Sequence, residues 1–198
     1  MLHAIRSPIA IALAGALLGG CISLGPKTPD TLMTLTPAQV APAGTQRSAE
    51  PGGAVTVMVP TTPQELMTVR VPVRAPGNTV AYLKDAQWVE QPARLFQQLI
   101  AATVQARTNR VVLNPRQASS DPGTRIGGDL EQFGVDAVTM EAVVTLDAFR
   151  LTSGSDRVDN RRFEARVKLD AIDAAHVTPA LNQAANQVAA DVAGWVGG

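Results

Sequence analysis

Apolar positions along this chain recur with two periods, and the second half shows both most clearly. Val138, Met140, Ala142, Val144, Leu146 and Ala148 alternate with Thr139, Glu141, Thr145 and Asp147. Phe163, Ala165, Val167, Leu169 and Ala171 alternate with Glu164, Arg166, Lys168 and Asp170. A period of two over this length predicts two strands, each with one dry face, and Ser153–Asn160 supplies the turn of a long hairpin. Like charges opposed across a ladder destabilise it. A register with Asp147 opposite Glu164 would create two such clashes, so the charges favour Asp147 opposite Arg166.

Helical spacing appears twice. Pro92 suits a first helical turn, and Leu95, Phe96, Leu99, Ile100 and Thr103 then share one face up to a stop at Asn109. Near the C-terminus, Thr178 and Pro179 read as N-cap and first residue, followed by Leu181, Ala185, Val188, Val192 and Trp195 as an amphipathic stripe. Shorter β-branched runs predict strands at Ala54–Val59, Val69–Val73, Thr79–Leu83, Val111–Leu113 and Thr124–Phe133, with a first strand at Thr31–Thr36. Pro72 demotes its run to an edge or a bulge. Pro63–Met67 predicts one helical turn, and Pro76-Gly77-Asn78 a chain reversal. The sum is a single compact α/β domain with a mixed or antiparallel sheet, the long hairpin and flanking helices.

The N-terminus changes the picture. Met1–Ser7 carries Arg6, Ile9–Leu18 is an uninterrupted small and apolar run, and Gly19-Gly20 leads into Cys21, the only cysteine. A charged start, a short apolar stretch and small residues before a cut describe a secretory signal peptide. The apolar run is shorter than the ~20 residues of a membrane-spanning helix. Leu18-Gly19-Gly20-Cys21 is similar to a lipobox, so residues 1–20 are expected to leave and Cys21 to carry acyl chains that anchor the protein to a membrane. Residues 21–30 then form a lipidated tether and 31–198 the domain. Ile22 and Ser23 follow the cysteine with no Asp, which by analogy with enterobacterial sorting favours the outer membrane, facing the periplasm.

The full chain balances 17 Lys and Arg against 17 Asp and Glu, and loss of Arg6 leaves the mature formal charge near −1. No basic excess argues for nucleic acid. Candidate chemistry is sparse. His176 is the only histidine after the leader, and no Gly-x-Ser-x-Gly elbow accompanies it. One His and one acylated Cys do not make a zinc site. Ser153, Ser155, Asp156, Asp159 and Asn160 lack the order of a Ca²⁺ loop. Gly127-Gly128 is not a phosphate loop and interrupts a strand pattern. No catalytic residue, metal or cofactor is therefore expected. Trp195 completes a helical stripe and is expected in the core. Trp88, just ahead of a helix, suits either packing or contact with a partner, as Trp is enriched at interface hot spots.

In order along the chain stand the lipobox, Val59-Pro60 after a short strand, Tyr82 and Trp88 leading into Pro92-Ala93-Arg94-Leu95-Phe96, then Leu130 and Phe133, the hairpin, and Ala180-Leu181-Asn182-Gln183-Ala184 with Trp195. This order resembles the ABC-type transport auxiliary lipoproteins, in particular the paraquat-inducible protein C branch. The resemblance implies a compact α/β fold and a non-enzymatic outer-membrane lipoprotein. It also implies an ABC transporter with an MCE-domain protein as partner in lipid transport, and homo-oligomerisation as in the members that form rings. Tyr82 and Trp88 are the candidate partner contacts. An independent periplasmic carrier of lipid or a small molecule is the rival reading and would need an enclosed apolar cavity. A lipoprotein hydrolase would need acidic residues clustered with His176 in a cleft.

Overall fold

The computed structural model describes residues 30–50, 52–115, 123–155 and 157–197. The leader, Cys21 and nearly all of the tether lie outside these residues, as do Asp156 and Gly198. The elements are β1 (Ala54–Val57), a 3₁₀ turn (Gln64–Leu66), β2 (Arg70–Ala75), β3 (Thr79–Gln87), α1 (Pro92–Arg107), β4 (Val112–Leu113), β5 (Gly123–Asp136), β6 (Glu141–Thr152), β7 (Val158–Lys168) and α2 (Ala174–Gly197).

The long strand β5 organises a seven-stranded mixed sheet. Along one edge it pairs antiparallel with β6, which pairs antiparallel with β7. Its other edge is shared. Residues 123–126 pair parallel with β1, which carries β4, and residues 135–136 pair parallel with β2, which carries β3. The sheet thus forks on that side, with Thr61 bridging to Asp129 between the prongs.

Both helices pack on one face of the sheet and against each other. The expected stripe of α1 is buried, with Leu95, Phe96, Leu99, Ile100 and Thr103 at 5% exposure or less. Small side chains on α2 (Ala180, Ala184, Ala185, Ala189, Ala193) are almost fully buried, which lets its backbone lie close to its neighbours. Opposite them, Ala142, Val144, Leu146 and Ala148 of β6 and Phe163 and Ala165 of β7 form the dry face that alternation predicts. Phe133 centres an aromatic cluster, 5.4 Å from Trp88 and 5.6 Å from Phe96 between ring centroids. Trp195 is only partly buried, packed against the core's edge at a tilt to Phe163 and beneath the Arg150 guanidinium.

Several elements differ from expectation for identifiable reasons. In the hairpin Asp147 lies opposite Arg162, four residues from the expected Arg166, with Glu141 opposite Lys168. Arg162 and Arg166 satisfy the charge rule equally, so charge does not separate these registers. The chain reverses at Gly154, at φ 75°, where the Ser155 N–H donates to Thr152 O, and the position of this turn sets the register. Val138 and Met140 are not strand residues. The Asp136 carboxylate accepts from the Val138 and Thr139 N–H groups, holding 137–140 as a turn. α2 begins at Ala174, not after Thr178, because Asp173 accepts the His176 N–H at the helix start. Thr178 then sits inside the helix and donates its hydroxyl to Ala174 O. The strand expected at Thr31–Thr36 is a single bridge, Met33 to Trp88. Beyond it the chain runs along α2, where Asn182 and Asn186 bind the backbone of Thr36 and Ala38. β3 runs to Gln87, well past Leu83. Gly127-Gly128 lies within β5 and does not interrupt it, and Pro72 marks a register shift between β2 and β3.

Candidate docking surface

Among the described residues no helix covers the second face of the sheet, and side chains of alternate parity from β2, β3, β5, β6 and β7 form it. The β2–β3 prong brings Tyr82 to this face, half-buried, with the Arg70 guanidinium 4.1 Å from its ring centre. Arg74 reaches across the fork. Its Nε and Nη2 donate to Glu65 Oε1 at 3.1 and 2.7 Å, Nη1 to Gln132 Oε1, and Nη2 also to Glu131 O. The last contact reaches the bulge that β5 makes between Leu130 and Gln132.

Farther along, β5 and β6 oppose acid to acid, Asp129 to Asp147 and Asp136 to Glu141. Cations from β7 relieve both pairs. Arg162 binds Asp147 at 2.8 Å, while the Thr61 hydroxyl donates to Asp129. Arg166 contacts Glu164, Glu141 and, at 3.9 Å, Asp136, and Lys168 binds Glu141 at 3.0 Å. Hydrogen bonds from Lys168, Thr139 and Arg166 pull the Glu141 pKa down to about 2. Arg166, helped by the Thr145 hydroxyl, also holds Glu164 below the ordinary carboxylate range. Beneath this lattice Val143 and Thr145 are 0 and 1% exposed although no described helix covers them.

The sequence candidates are therefore separated. Tyr82 faces outward on this surface. Trp88 does not. At 1% exposure it packs edge-on against Phe133, and its backbone pairs with Met33 on one side and Val69 on the other. Packing replaces the partner contact considered for it. Arg70, Arg74, Arg162 and Arg166 carry the surface, and sequence reading singled out none of them for it. Their signal was the run of basic residues on the polar parity of β2 and β7.

The residues weighed for chemistry lie elsewhere. His176 is exposed on the first turn of α2, its Nδ1 2.8 Å from Asp173 Oδ1, and this contact lowers the Asp173 pKa. The cleft beside it, about 260 Å³, sets Asp170 and Lys168 in the same wall as His176 but brings no serine, threonine or cysteine there as a nucleophile. Asp159, considered for Ca²⁺, is engaged by Arg150 and Arg157 at 2.9 and 2.6 Å, the Arg150 bond lowering its pKa most. Among the described residues no three His, Cys, Asp or Glu side chains gather as a metal site. No described helix is long and apolar enough to cross a membrane. A cleft of about 540 Å³ lies where the ends of α1 and α2 meet and opens to solvent beside Arg107 and Arg110.

Comparison with known proteins gives this arrangement a family. No curated protein matches the sequence. Among solved structures, the fold is similar to that of XCC0632 from Xanthomonas campestris, described under family DUF330. The TM-score is 0.65 at 21% identity, covering 85% of this chain and 92% of that one. It is also similar to an uncharacterized protein, with TM-score 0.63 and 11% identity over 84% and 99% of the two chains. The model of the ABC-type transport auxiliary lipoprotein component family matches residues 34–193, and the chain belongs to that family.

Proposed function

We propose that the mature protein is an outer-membrane lipoprotein, acylated at Cys21 and facing the periplasm. In this reading it serves an ABC transporter of the MCE type as a non-enzymatic docking component in lipid traffic between membranes. The observation that carries the reading is the family match over 34–193 in a chain whose only cysteine directly follows Leu18-Gly19-Gly20. The filled core supports docking over carriage, because the space between helices and sheet is occupied by side chains such as Trp88, Phe96, Phe133 and Leu181. The charged, helix-free sheet face with Tyr82 supplies the surface for the partner.

Two measurements test this. Labelling with a fatty-acid analogue marks the wild type, whereas Cys21→Ser loses the label and leaves the membrane fraction. Label persisting in the variant overturns the anchor. Cross-linking in the envelope through a photoreactive residue at position 82 recovers an MCE-domain protein. Recovery of unrelated outer-membrane proteins alone overturns the partner.

A further inference from the structure

We infer that the domain rests on the bilayer through a small apolar patch beside the point where its tether leaves it. The inference builds on acylation at Cys21. Leu32, Met67 and Val89 are 46, 53 and 54% exposed. They stand on backbone segments tied to one another. Met33 N–H donates to Gln87 O and Val89 N–H to Met33 O, at 2.7 and 2.9 Å. Trp88 N–H donates to Val69 O at 2.7 Å, and the Gln91 side-chain amide to Met67 O at 2.9 Å.

Isolated exposed apolar side chains are ordinary on any protein surface. Leu151 and Val158, paired across the tip of the β6–β7 hairpin, are examples at 36 and 56% exposure. Position sets the first group apart. Asp30, where the described chain begins, stands two residues before Leu32. The segment 22–30 spans at most ~30 Å even when fully extended, so the acylated residue stays within that reach of the patch. Tethering raises the local concentration of bilayer at the patch, so a contact too weak to bind alone becomes populated. The occupant is therefore the lipid surface that holds the acyl chains.

The test uses the full lipidated chain, reconstituted in phosphatidylethanolamine–phosphatidylglycerol vesicles that contain headgroup-nitroxide lipid. An environment-sensitive fluorophore is attached to Val89→Cys or, separately, to Val158→Cys on the edge strand across the sheet. The label at 89 shifts to the blue and loses intensity, and the label at 158 does neither. Adding Leu32→Asp and Met67→Asp abolishes the quenching at 89 while the protein still floats with the vesicles. Equal quenching at both positions, or quenching at 89 that survives these substitutions, overturns the patch and leaves the anchor standing. Protein that fails to float overturns the acylation reading and the patch with it.

Discussion

The two faces of one sheet are buried by different means. On the helix face, Ala142, Val144 and Leu146 of β6 meet α2, and water is excluded by apolar packing alone. On the other face, Val143 and Thr145 of the same strand are as well buried, yet their roof is made of ion-paired side chains from β6 and β7. The pairing differs too: β6 and β7 oppose acid to base, whereas β5 and β6 oppose acid to acid and borrow cations from their neighbours. Packing on the first face depends on shape and is insensitive to pH. The second face is polar outside and apolar beneath, so its cover depends on the charge state of the side chains that form it.

The largest expected break is on the helix face. Phe133→Ala removes a fully buried ring in contact with Trp88 and Phe96, and should cost about 3–5 kcal/mol, read as a lower urea midpoint with unchanged slope. A loss below about 1 kcal/mol would mean that the site collapses around the void. A smaller break lies where the fork closes. A Cβ at Gly134 would run into the Pro72 carbonyl oxygen, which is backbone and has little room to give. Gly134→Ala should cost about 1–3 kcal/mol by levering β2 from β5. Amide exchange should rise in β2 and β3 but not in β7, and uniform protection would contradict the forked arrangement.

How much of this was legible depends on whether a cause is local. The α1 stripe from Leu95 to Thr103 and the alternation of β6 and β7 follow from burial of one face, and the structure has both. The hairpin register was not legible from charge, since Arg162 and Arg166 are interchangeable partners for Asp147 and only Gly154 distinguishes them. Thr178-Pro179 offers the stronger local cap pattern, yet the helix begins a turn earlier, at Ala174, where Asp173 accepts the His176 N–H. The role of Asn182 and Asn186 depends on a segment about 150 residues away in sequence. Two asparagines four apart in an otherwise apolar helix were the available clue. The charged surface was hidden for the same reason: Arg74, Glu65 and Gln132 come from three elements, and their meeting is set by the fork.

The smallest expected effect separates two carboxylates on the charged face. Both Glu141 and Glu164 titrate below their ordinary value of 4.5, Glu141 at about 2. A depressed folded-state pKa means that the unfolded chain takes up protons first on acidification. These groups therefore contribute stability that is present above pH 4.5 and is lost as pH falls toward 2. Lys168 is the largest cause for Glu141, and Arg166 is the largest cause for Glu164. Arg166→Gln should thus return Glu164 toward 4.5, leave Glu141 well below it, and shrink only part of the acid-side loss of melting temperature. Because Arg166 is well exposed to solvent, the change at neutral pH should be slight. Carbon-detected NMR titration of the two carboxyl groups reads this directly. If both moved together, Arg166 would be the common support of the lattice, and the division of labour between Lys168 and Arg166 would be wrong.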